Sequence, residues 1–318
     1  MASIPKLVIL LLCTCLHTLL AHGGDDLRTY KVLHAGALKS ATVNCSQPQV
    51  TPSYGGVTVP LHHRHGPCSP SPVPSTKAPT LQEMLRRDQL RAAYITRSQS
   101  ESGNLLEDQT DGLMGLGGGA ESLATQTAGT FGKAFSYCLP PTPDSSGFLT
   151  LGAATSGFVV KTPMLRSSEV PSYYGVRLQA IRVGGRQLSI PASVFSAGSI
   201  MDSGTIITRL PATAYSALSS AFKAGMKQYP PAQPMGIFDT CFDFSGQSSV
   251  SIPSVALVFS GGVVVDLATD GIILDSCLAF AANTDDSSLG IIGNVQQRTI
   301  EVLYDVGGGA VGFKAGAC

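Results

Sequence analysis

One stretch of this sequence sets an acidic side chain where it could do chemistry. Ser199-Ile200-Met201-Asp202-Ser203-Gly204-Thr205 runs out of an apolar segment into a turn of small residues, and Pro211 follows soon after. Hydroxyl and backbone N–H groups after an Asp can hydrogen-bond its carboxylate, and glycine lets the backbone come close. The chemistry open to such a group is general acid–base work. Other schemes are narrowed by composition. All six His lie at or before His65, so 104–318 has none. That excludes Ser-His-Asp and Cys-His nucleophiles there, and His-ligated zinc. Gly115-Leu116-Gly117-Gly118-Gly119 lacks the Lys of a phosphate loop. Cys138, Cys241, Cys277 and Cys318 form no C-x-x-C pair and read as disulfide partners. No metal and no cofactor is expected.

The elements that must hold Asp202 are short apolar runs broken by glycine. With 13% charged residues, 35 Gly and 20 Pro, the chain reads as mainly β. Strands are expected near 135–139, 148–151, 174–183, 199–202, 255–259, 262–266, 300–304 and 311–313. Gly307-Gly308-Gly309 and Val183-Gly184-Gly185-Arg186 read as hairpin turns. One helix interrupts them: Pro211 suits its first turn, Tyr215, Leu218 and Phe222 share a face, and Pro230-Pro231 ends it. Gly112-Leu113-Met114-Gly115 and Gly290-Ile291-Ile292-Gly293 repeat one pattern, two apolar residues between glycines.

The front of the chain differs in kind. Lys6 and an apolar run from Leu7 to Leu20 read as a signal peptide ending near residue 22, too short to span a membrane. Residues 23–79 are rich in Pro, Ser and Gly and read as extended and poorly ordered. His62, His63 and His65 read as a solvated basic patch, and Asn44-Cys45-Ser46 is a glycosylation sequon. Thr80-Leu81-Gln82-Glu83 has capping-box spacing and opens a helix to about Arg97. Leu81, Met84, Leu85, Ala92 and Ile95 form its apolar stripe, with Arg86, Arg87, Arg91 and Arg97 expected elsewhere on its surface. A polar, cleavable linker spans 98–103. Residues 24–103 hold nine Lys/Arg against five Asp/Glu, and 104–318 hold eleven against sixteen. A basic front on an acidic body suggests that the two bind each other. The acidic body is a poor partner for nucleic acid.

These motifs resemble the pepsin-like aspartic proteases (peptidase A1), in their plant nepenthesin-like branch, over about 111–318. The resemblance implies a pepsin-like acid protease fold acting on polypeptides by two aspartates, one from each lobe. Asp202 then matches the second catalytic aspartate, Ser203, Gly204 and Thr205 its supporting turn, and Ile291-Ile292-Gly293 and Leu113-Met114-Gly115 the loops beside the active strands. It also implies Cys241–Cys277 and Cys138–Cys318 disulfides. Its segmentation is a signal peptide at 1–22, a pro-segment at 23–103, an N-terminal-lobe remnant at 104–155 and a complete C-terminal lobe at 156–318. The expected state is a secreted monomer, in apoplast, cell wall or vacuole, whose own pro-segment is a partner.

The sequence departs from the pattern at one point. Asp202 carries the chain's single D-[ST]-G-[ST] turn, and the pro-segment joins the end of the first lobe as if a block had been removed. Two carboxylates in contact share one proton, so one can act as base while the other acts as acid. One alone cannot fill both roles. The expectations are an endopeptidase relative without activity of its own or, alternatively, a non-catalytic secreted protein that binds or inhibits an enzyme. Strands in 111–155 are expected to present open edges.

Overall fold

A computed structural model describes residues 29–34, 55–63, 66–68, 80–97, 114–142, 144–158, 160–168 and 171–318. The expected leader, Asn44 and the linker and join over 98–113 lie outside them.

The largest sheet has six strands in the order β2 (Val57–His62), β4 (Ser146–Leu151), β3 (Ala134–Cys138), β18 (Ile300–Asp305), β19 (Ala310–Ala315) and β5 (Val160–Pro163). It therefore joins the front segment, the 114–155 region and the C-terminus. Gly309 turns the β18–β19 hairpin at φ +65°. Two further sheets build the body. A five-stranded one runs β16 (Phe280–Ala282), β10 (Thr208–Leu210), β17 (Gly290–Ile292), β9 (Ser199–Met201) and β6 (Gly175–Val176). A four-stranded one runs β13 (Val263–Asp266), β12 (Val255–Phe259), β7 (Leu178–Val183) and β8 (Arg186–Gln187). Between them lies a core holding Leu178, Leu210, Phe259 and Phe280, closed by Leu218 and Phe222 of α4 (Ala212–Gly225). The small pair β14 (Ile273–Leu274) and β15 (Cys277–Leu278) sits beside the Cys241–Cys277 disulfide. A second disulfide ties Cys138, at the end of β3, to Cys318.

Helix α1 (Leu81–Arg97) begins where expected. Thr80 N–H donates to the Glu83 carboxylate at 2.9 Å and Glu83 N–H donates to Thr80 Oγ1 at 3.2 Å. The front segment is more structured than its composition suggests. β1 (Tyr30–His34) pairs antiparallel with β11 (Ser249–Pro253), and β2 pairs with β4. Tyr-Lys-Val-Leu-His and Val-Thr-Val-Pro-Leu-His alternate well enough for strands, and each completes the backbone hydrogen bonding of an edge. The edge of β4, expected open, is thus covered. Smaller differences are the break at Arg177 between β6 and β7, and the end of α4 at Gly225, before the prolines. Helices α2 (Leu123–Gln126) and α3 (Ala128–Phe131) follow the first glycine loop, and a 3-10 turn, Val295–Gln297, follows the second.

Candidate active site

Asp202 stands at the C-terminal end of β9. β17 runs parallel to β9, with Ile291 opposite Ile200 and Ile292 opposite Met201, and Asp202 N–H donates to Ile292 O at 3.1 Å. Gly293 crosses beneath the turn. A Cβ there would lie 2.7 Å from Ile206 O, so only glycine lets the two loops meet. Polar side chains lock the crossing. Thr208 Oγ1 accepts from Gly293 N–H at 3.0 Å, and Gln296 Oε1 accepts from Thr208 N–H at 3.1 Å. Asn294 N–H donates to Thr205 O at 2.7 Å, and its side chain donates to Ser203 O at 3.0 Å.

Within the turn the Asp202 carboxylate accepts from Thr205 Oγ1 at 2.5 Å and from Gly204 N–H at 3.1 Å. The structure thus brings Asp202, Gly204 and Thr205 together. Ser203 is exposed, and its carbonyl rather than its hydroxyl carries the bond to Asn294. Behind the turn the Tyr137 hydroxyl donates to Gln297 Oε1 and lies 2.9 Å from the Tyr304 hydroxyl. Burial pushes both phenols well above their ordinary range, so they remain neutral.

The outer side of the carboxylate faces α1. Arg91 Nε donates to Asp202 Oδ2 at 3.0 Å and Arg91 Nη2 donates to Oδ1 at 2.9 Å, a bidentate pair. Burial pulls the Arg91 pKa down, but the bonds and charge of Asp202 outweigh it and leave it raised. One helical turn earlier Asp88 makes the reverse pairing. Its carboxylate accepts from Ile206 N–H and, at 2.9 Å, from Arg209 Nη2. The Asp88 and Arg209 residues are only 3% and 7% exposed. Burial, the largest influence, raises the Asp88 pKa despite these bonds. Apolar contacts surround both pairs. Leu85 packs with Ile207 and Phe238, while Ala92 and Ile95 pack with Ile200 and Ile291.

Arg91 was expected on the outer surface of the helix; instead it turns inward onto Asp202. The signal lay in the spacing. Leu81, Leu85, Asp88, Ala92 and Ile95 follow the alternating four-and-three step of one buried stripe, and an Asp inside such a stripe must find a partner. Arg209, Thr208 and Gln296 carried no signal, because their partners lie on segments distant in sequence. Among the described residues, the groups that bond the Asp202 carboxylate are Arg91, Gly204 and Thr205, and no carboxyl stands among them.

Known proteins resemble this chain in sequence and in fold. Residues 39–153 match the family model described as xylanase inhibitor N-terminal, and 173–315 the one described as xylanase inhibitor C-terminal. An aspartyl protease family protein of Arabidopsis thaliana is 51% identical over 65% of this chain and 45% of its own length. Nepenthesin-2, an aspartic proteinase of Nepenthes gracilis, is 36% identical over 65% of this chain and 50% of its own. The chain belongs to the plant nepenthesin-like branch of the pepsin-like aspartic proteases. Solved structures agree on the fold. Soybean basic 7S globulin superposes at TM-score 0.54, with 24% identity, over 66% of this chain and 58% of its own. Conglutin gamma from lupine seeds gives 0.57, with 23% identity, over the same shares. The chain spans about half the length of the curated aspartyl proteases it matches.

Proposed function

We propose that this chain is a latent half-site of an aspartic peptidase, secreted by its leader, that does not hydrolyse peptides unaided. The observation that carries the reading is the Arg91–Asp202 pair. A single carboxylate of the type that activates water is gripped by a guanidinium and covered by the chain's own helix, and among the described residues no second carboxyl bonds to it. Proton sharing between two acids gives such sites both base and acid. With one acid the general acid–base contribution, of order 10²–10⁴-fold, is largely lost. The substrate of a complete site would be polypeptide, and the reaction needs no cofactor.

Incubating the purified chain with a quenched fluorescent peptide between about pH 2 and 6 tests this, with Asp202→Asn as the control. The expected result is equal, background cleavage for both. Cleavage by the unaltered chain that pepstatin stops and Asp202→Asn abolishes overturns the proposal. A second reading rests on the two xylanase inhibitor models that together match most of the chain. In that reading the protein binds a secreted glycan hydrolase, and Asp202 is a turn carboxylate held by Arg91. Inhibition of a xylanase that survives Asp202→Asn favours it, and absence of any binding removes it.

A further inference from the structure

We propose that a pocket apart from Asp202 binds a small carboxylate with an aromatic or branched apolar body. The pocket holds about 220 Å³ and lies between helices α2 and α3 and the face of β3 and β4. Ala124, Ala128, Phe131, Phe135 and Leu151 supply an apolar interior. A dry cavity of about 150 Å³ is enough for benzene, so this one has room for a single ring with a short tail.

Charge at the rim selects the tail. Arg166 lines the pocket and has two close neighbours, Tyr174 and Gly118. Its guanidinium carbon sits 4.8 Å from the centre of the Tyr174 ring. The group also lies close against Gly118, where a Cβ would come 2.1 Å from Nη2 and 2.3 Å from Nη1. Gly118 itself is held by its N–H donating to Ser172 O at 3.1 Å. Arg166 Nη2 donates to Pro171 O at 2.7 Å, and among the described residues no carboxylate pairs with Arg166 within 4.0 Å. A planar fork set beside an aromatic face and a glycine, and tied by Pro171 O, is already arranged for a bidentate carboxylate. Lys133 adds a second cation to the lining. Asp305, on the strand paired with β3, is engaged by Lys161 at 3.7 Å and by Gly308 N–H at 2.8 Å, and among the described residues no carboxylate lies within 4.0 Å of the Lys133 ammonium. The pocket thus offers an apolar floor, the Lys133 ammonium and the preset Arg166 guanidinium. An apolar anion satisfies all three, whereas a neutral apolar molecule leaves the cations unused.

Titration calorimetry of the full chain tests the idea with phenylacetate and, as the neutral isostere, phenylacetamide. Phenylacetate should bind saturably, about tenfold or more tightly than the amide. Arg166→Met should remove that preference and leave the amide unchanged. Methyl NMR locates the site without a core substitution: Ala124, Ala128 and Leu151 signals should shift with phenylacetate. No saturable binding up to about 10 mM, equal binding of acid and amide, or shifts confined to residues outside the pocket each overturn the proposal.

Discussion

Asp88 and Arg209 form the most consequential pair of side chains after Arg91 and Asp202, because both are almost fully buried. Their side chains are 0% and 8% exposed, and the Arg209 Nε has no partner among the described groups. A buried pair contributes little against an apolar replacement, yet removing one member leaves the other uncompensated. Arg209→Met should therefore cost about 3–5 kcal/mol by leaving the Asp88 charge without its cation. Asp88→Asn keeps an acceptor for Ile206 N–H and removes the charge that burial disfavours, so it should cost less than Arg209→Met. The double variant should be milder than the sum of the two, with a coupling of about 1–3 kcal/mol. Urea midpoints for the four proteins read this directly. Simple additivity would mean that the two residues act independently and that the clasp is not a pair. The same reasoning gives Arg91→Met a cost of about 1–3 kcal/mol, smaller because Arg91 is more exposed than Arg209.

At the scale of the helix, α1 carries two carboxylates whose pH responses oppose one another. Thr80, through its backbone N–H first and its hydroxyl second, holds Glu83 below its ordinary pKa. The stability Glu83 adds is present above the unfolded value near 4.5 and is lost as pH falls through the lower folded value. Asp88 is shifted the other way by burial. Its contribution is complete below the unfolded value of 3.8 and declines as pH rises through the raised folded value. Acidification should fray the first turn of α1 while the middle of the helix stays docked. Amide exchange followed by NMR from about pH 6 to 3 should show protection lost near Glu83 and kept near Asp88. Uniform loss along the helix would show that Asp88 does not anchor it.

The same helix shows what could be read in advance. Its start was legible because a capping box is local: Thr80 and Glu83 are three residues apart. Its docking was not, because Arg91 meets a residue 111 positions away and Asp88 one 121 positions away. Likewise the Asp202 turn and the Gly290–Gly293 repeat were legible as patterns. The hydroxyl, amide and arginine groups that hold them together were not, since each bond joins separate segments. The strands β1 and β2 were hidden for a related reason. Segments rich in Pro, Ser and Gly cannot build a core alone, yet they can complete the edge of a sheet that already exists.

For the molecule as a whole, the six-stranded sheet is the joint between front segment, 114–155 region and body, and the Cys138–Cys318 disulfide fastens it. That bond closes a loop of 180 residues, against 36 for Cys241–Cys277. In the chain-entropy account the longer loop restricts the unfolded chain more, by about 1.4 kcal/mol. The two also differ in access. Cys241 and Cys277 are 5% and 2% exposed and pack against Leu85 and Phe238, whereas Cys318 lies half-buried at the chain terminus beyond β19. Mild reductant under native conditions should therefore open Cys138–Cys318 first. Its loss should lower stability by about 2–5 kcal/mol. Because β3, β18 and β19 are hydrogen-bonded neighbours, the sheet should persist after reduction. The cost should then appear as a lower urea midpoint rather than as lost strand signal in circular dichroism. Alkylation followed by mass spectrometry identifies which cysteines have opened. Early labelling of Cys241 and Cys277, or an unchanged midpoint once Cys138 and Cys318 are labelled, would show that this fastening does not hold the joint.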